Sequence, residues 1–136
     1  MDSIVIQLRA LQFLAHRAHN VVKGPTFFED HEFLGELYPA YETAYDELVE
    51  RIIGTNAESL SICKVNKAAA EMSSVAPNET RPDAFFRIIL KGEKDLCALI
   101  EKSIKEQTQG TQNLLAQFAD DAESRIYKLK QRLAIA

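Results

Sequence analysis

The sequence predicts an all-α fold: an up-and-down bundle of four long helices, with a short extra helix in one long connection. Three observations predict it. Apolar residues recur every three or four positions through four long stretches. Gly24-Pro25, Gly54, Pro77 and Gly110 interrupt those stretches where turns are needed. The gap between the second and third stretches is long enough to cross the bundle and to hold a helix of its own.

The first helix is expected over about 3–21, with Ile4, Leu8, Leu11, Ala15 and Ala18 on its core stripe. Gly24-Pro25 breaks it. The second spans about 27–53 on Phe33, Leu34, Leu37, Tyr38, Tyr41, Tyr45, Leu48 and Ile52, and Gly54 suits the residue just past its end. The connection opens at Asn56 and holds a short helix through about Met72. Ser73 to Thr80 is polar and contains Pro77. The third helix starts at Thr80-Arg81-Pro82-Asp83: Thr80 can cap, Pro82 suits the first turn, and Asp83 favours the positive helix end. Gly92 is expected to weaken it locally and Gly110 to end it. Thr111 then caps a fourth helix over about 111–133, with Leu114, Leu115, Phe118, Ala122, Ile126, Leu129 and Leu133 as its stripe. Lys128, Lys130 and Arg132 complement its negative end.

A length of 136 residues with 46% hydrophobic content fits one domain, 1–136, with a sufficient core. The net charge of -4 argues against a surface built to hold nucleic acid. Cys63 and Cys97 make no disulfide framework and no C-x-x-C motif, and read as small buried apolar residues. No apolar run is long enough to span a membrane. Met1-Asp2-Ser3 leads straight into the first helical pattern, so the expected location is cytoplasmic.

The chemistry-bearing positions are His19, His31, Asp46 and Glu50. Asp46 and Glu50 stand four apart and share one helix face. His31 lies 15 residues before Asp46 on the same long helix, roughly 22 Å along its axis. One ion with ligand bonds of about 2 Å cannot be reached from both ends of that span. Either the histidines and carboxylates are unrelated, or a second copy of the chain completes the site. Antiparallel pairing of the long helix would bring His31 of one copy beside Asp46 and Glu50 of the other. Imidazole plus carboxylate with open positions suits Fe(II). His16, one turn before His19, reads as structural or exposed. Tyr38, Tyr41 and Tyr45 read as core or interface residues.

Two segments carry a resemblance to a known family: His19-Asn-Val-Val-Lys-Gly-Pro-Thr-Phe-Phe-Glu-Asp-His31 and Tyr45-Asp46-Glu47-Leu48-Val49-Glu50-Arg51-Ile52. They resemble the Dps-like miniferritins, the DNA-binding proteins from starved cells. The stretch from Gly110 to Glu123 resembles the start of that family's last helix. The resemblance implies a ferritin-like four-helix bundle assembling into a hollow dodecamer. It implies a two-iron ferroxidase site at the subunit interface, with His19 and His31 from one subunit and Asp46 and Glu50 from its neighbour. The implied function is ferroxidase and iron storage: Fe(II) is oxidised by hydrogen peroxide or oxygen, which detoxifies peroxide, and Fe(III) mineral is held inside. Glu50 is the expected bridging carboxylate.

The chain departs from the family pattern at three places. Where the family has a carboxylate four residues after its second histidine, this chain has Gly35. Where it often has Trp after the first, this chain has Asn20 and no Trp at all. Pro39 lies inside the second helix and removes the hydrogen bond to the carbonyl of Gly35. A kink or π-bulge at 35–39 is therefore expected. In a regular helix Gly35 lies about 40° from His31 and Glu36 about 140°. A bulge would rotate Glu36 toward the missing ligand position, making Glu36 a candidate metal ligand, against solvent exposure as the plainer reading. The family's DNA binders use a Lys/Arg-rich tail that this sequence does not show, so DNA is not an expected partner. The alternative function is a Dps-like structural or nucleoid-associated cage with weakened or lost ferroxidase activity, which Gly35 and the missing Trp favour.

Overall fold

The computed structural model describes residues 1–136 as five α-helices and no strand. They are α1 (Asp2–Val21), α2 (Phe27–Thr55), α3 (Ile62–Met72), α4 (Pro82–Ser103) and α5 (Gln109–Leu133). α1 and α2 form one hairpin and α4 and α5 the other, while α1 also packs on α4. The short α3 crosses the outside of α1 within the long connection. This is the expected bundle of four long helices with a short helix in the long connection.

The predicted stripes face one continuous core. Ile4, Leu8, Leu11, Ala15 and Ala18 of α1 are buried against Leu34, Leu37, Tyr41, Tyr45, Leu48 and Ile52 of α2. Phe85, Phe86, Ile89 and Leu96 of α4 and Leu115, Phe118, Ala122 and Leu129 of α5 complete it. No helix is long and apolar enough to cross a membrane.

Four boundaries differ from the sequence reading, each for a local reason. α2 runs past Gly54 to Thr55, and Asn56 takes the left-handed turn at φ 53°. Asparagine is one of the few residues that enters that conformation readily. α4 stops at Ser103, ahead of a single 3₁₀ turn over Ile104–Glu106. Gly110 lies inside the first turn of α5, because the Thr108 hydroxyl accepts from the Thr111 amide and caps the helix earlier. Glu79, not Thr80, serves the start of α4: its carboxylate accepts from the amides of Thr80 and Arg81 at 3.0 and 3.1 Å.

Gly92 does more than weaken α4. A Cβ there would lie 2.6 Å from Leu11 Cδ2, so the missing side chain lets α1 approach closely. Gln7 secures the contact by donating to the Gly92 carbonyl at 3.0 Å. Cys63 is exposed and Cys97 half-buried, which corrects their reading as core residues.

Candidate metal centre

His19 stands in the last turn of α1 and His31 near the start of α2. The Gly24 turn, at φ 129°, folds the two helices back on each other and brings the rings face to face. Their centroids are 3.8 Å apart at 16°. Each ring is tied to the other residue's backbone: His19 Nδ1 donates to the His31 carbonyl at 2.9 Å, and His31 Nδ1 donates to the His19 carbonyl at 2.8 Å. A carbonyl can only accept, so both protons sit on Nδ1. In the neutral ring this tautomer leaves the lone pair on Nε2, the form in which histidine binds a metal.

Neighbouring rings hold the pair. Phe27 stacks on His31 at 4.9 Å, and Tyr38 tilts against His19 at 5.4 Å. His16 is exposed, as expected, and stacks on the far part of that wall, 4.0 Å from Tyr38. Tyr41 and Tyr45 belong to the core.

The turn of α2 that carries His31 has its own anchor. Asp30 is buried and receives Arg132 of α5 through two hydrogen bonds of 3.0 Å. Arg132 also reaches Asp83 at 2.9 Å and Thr26 at 3.1 Å. One guanidinium thereby joins the starts of α2 and α4 to the end of α5. The sequence reading gave Arg132 only a helix-end role, and a pairing across 102 positions leaves no local signal.

Asp46 and Glu50 lie further along α2, on its exposed side, with no ion-pair or hydrogen-bond partner. The structure therefore brings the two histidines together and leaves the two carboxylates apart from them. Within one chain no cluster of three or more His, Cys, Asp or Glu side chains is placed to hold an ion.

The π-bulge is absent. α2 is regular α-helix from Phe27 to Thr55, with Pro39 on its exposed side. The helix accepts the lost hydrogen bond without adding a residue to the turn. Glu36 consequently stays off the histidine face and borders a groove with Phe33, Asp121, Ser124, Arg125 and Lys128. Its assignment as a ligand loses its geometric basis, and the plainer reading, an exposed side chain, describes its place.

Known proteins share this arrangement of helices. Dps from Listeria monocytogenes superposes with a TM-score of 0.86 at 21% identity, covering 99% of this chain and 91% of that one. DPS protein from Vibrio cholerae O1, described as a member of a broad superfamily of ferritin-like diiron-carboxylate proteins, gives 0.69 at 22% identity, covering 97% and 85%. In sequence, the chain is 29% identical over 90 residues to DNA protection during starvation protein 2 of Bacillus anthracis, a match spanning 66% of this chain and 61% of that protein. The chain is thus similar in sequence to Dps proteins over part of its length and has their miniferritin fold. It is also 37% identical over 65 residues to General stress protein 20U of Bacillus subtilis (strain 168), spanning 48% of this chain and 45% of that protein. The matches thus cover between about half and three-fifths of the curated relatives' lengths. No protein-family model matches the chain.

The donor types of this chain fit iron. Two neutral imidazole nitrogens and two carboxylates form a mixed N/O set of net charge −2, the kind that holds Fe(II) and favours Fe(III) as charge builds. Within one chain the histidine half and the carboxylate half of this set stay apart.

Proposed function

We propose that copies of this chain assemble into a hollow dodecamer, bind Fe(II) where subunits meet, oxidise it and store the ferric product. In this reading His19 and His31 of one copy face Asp46 and Glu50 of another, and each shared site holds two irons. One observation carries it: the histidines are locked with both Nε2 lone pairs free, while the carboxylates stand exposed without a cation. A donor set left open on both halves is the arrangement a partner copy would complete.

The side chains divide the work. The imidazoles supply neutral donors whose orientation is fixed before an ion arrives, so little ordering is needed on binding. Asp46 and Glu50 supply the negative charge that stabilises the oxidised ion, and Glu50 is the candidate bridge. With hydrogen peroxide as oxidant, two Fe(II) give up one electron each, and H2O2 with two protons becomes two waters. Consuming peroxide with paired irons limits hydroxyl radical release.

Mixed assemblies test this. His31→Ala and Asp46→Ala should each abolish most Fe(II) oxidation, followed by ferric absorbance with and without peroxide. Co-assembled, a mixed two-fold interface keeps one intact site out of two, so about a quarter of parental activity should return. Light scattering should show a particle of about twelve subunits, the closed assembly of this reading. A monomer that still oxidises iron, or a mixture with no recovery, would sink the shared site.

A further inference from the structure

We infer that Gly35 is a positioning residue of the metal centre: its missing side chain seats the His19 ring, so position 35 serves the site by being empty. This role rests on the metal-binding reading for its purpose and on packing alone for its geometry.

A Cβ built on Gly35 would lie 3.0 Å from His19 Cε1, 3.3 Å from Nδ1 and 3.9 Å from Nε2. The imidazole therefore rests on the bare backbone of α2. A flexible side chain could step aside by a few tenths of an ångström, but this ring has little freedom to do so. The His31 ring stands against it at 3.8 Å. Tyr38 closes on it at 5.4 Å. Its Nδ1–H is tethered to the His31 carbonyl at 2.9 Å. Moving the ring stretches that tether or presses on His31, whose own Nδ1–H is bound to the His19 backbone. The two histidines move together or not at all.

The consequence reverses the expectation drawn from the family pattern. A carboxylate residue at position 35 begins with the same Cβ as alanine. It meets the His19 ring before its oxygens can reach an ion. The substitution that would restore a ligand by sequence logic would then disturb two ligands already in place. Gly92 shows the same device in the core, where a bare backbone seats Leu11, another side chain of α1.

The test uses the assembled protein as purified, with Gly35→Ala and Gly35→Asp beside the parent. Alanine forms helix more readily than glycine, so α2 itself should persist and the melting temperature should not fall. Crystal structures of the metal-free variants should show the His19–His31 stack opened and the His19 Nδ1 tether lost. Co(II), titrated through its visible absorption, should bind at least about tenfold more weakly to both variants, the scale seen when a ligand's supporting contacts are removed. Rings in their parental places in Gly35→Ala, or tighter Co(II) binding in Gly35→Asp, would overturn the role. A parent that binds no Co(II) would sink the metal reading, and the metal-free structures would still decide whether Gly35 seats the ring.

Discussion

Two charged regions of this bundle contain the same kinds of side chain and end differently. In the interior, Glu93 of α4 is fully buried, and Arg125 of α5 forks onto it through Nε and Nη2. Arg125 also lies over the Tyr41 ring, 4.8 Å from its centroid. On the surface, Asp46 and Glu50 have no cation, and His19 and His31 hold their Nε2 atoms free. The difference lies in where the counter-charge comes from. Glu93 gets its cation from its own chain and has nothing left to offer an ion. The surface set is left uncompensated, which is what a site completed from outside requires.

Burial still shows on the interior pair. It pushes the Glu93 carboxyl above the usual range, although the Arg125 hydrogen bond pulls the other way. Burial and the nearby Glu93 charge also raise the Tyr41 phenol well above its ordinary value. Breaking one half of such a pair costs more than the pair contributes. Glu93→Gln should therefore lower stability by about 3–5 kcal/mol in urea unfolding, because it strands the Arg125 charge. Glu93→Leu with Arg125→Met should recover most of that loss. A Glu93→Gln variant as stable as the parent would show that the interior charge is not compensated within the chain.

The surface half of the comparison predicts the opposite profile. Asp46→Ala and Glu50→Ala remove exposed groups that touch nothing, so stability should stay within about 0.5 kcal/mol of the parent. Fe(II) binding should nevertheless fall by about a hundredfold, near 2.7 kcal/mol. Equilibrium binding under anaerobic conditions, beside urea unfolding of the same samples, checks both. A large stability loss with unchanged binding would place these carboxylates in the fold rather than in a site.

The same contrast explains what could be read from the sequence. Helix stripes are local and periodic, so Ile4 to Ala18 and Leu34 to Ile52 could be assigned from spacing alone. The candidate ligands were also legible, because histidines around a Gly-Pro turn and carboxylates four apart are short-range patterns. Pairings across the bundle were not. Glu93 and Arg125 stand 32 positions apart, Asp30 and Arg132 stand 102 apart, and nothing local marks either partner. Glycine was hard to read at four positions, in two ways. Gly54 and Gly110 are ordinary helical positions, while Gly35 and Gly92 are small because a side chain of α1 needs the space. A terminator and a seat use the same residue, and only the neighbour distinguishes them.

The smallest expected effect separates the two regions by the direction of a pH dependence. Glu79 lies half-buried just before α4, and hydrogen bonds from the Arg81 side chain and backbone lower its carboxyl from 4.5 to about 2. Its stabilising contribution is therefore complete above the unfolded value near 4.5 and is lost as pH falls toward about 2. Glu93 is shifted the other way. Its folded form holds a proton at higher pH than the unfolded chain does, so its charge opposes folding above the ordinary carboxylate range and stops doing so below it. Glu79→Gln should then be slightly less stable than the parent near neutral pH, since an isolated pair whose cation, Arg81, is exposed contributes little. The gap in melting temperature should close as the buffer is taken from about pH 5 toward pH 3, as the Glu79 carboxylate is protonated. The Thr80 carbonyl accepts the Lys23 amide at 3.0 Å, so this small contact also steadies the chain just after the His19 turn. A gap that widens on acidification would mean that Glu79 behaves like the buried carboxylate, and the division between a closed interior and an open surface would fail at this position.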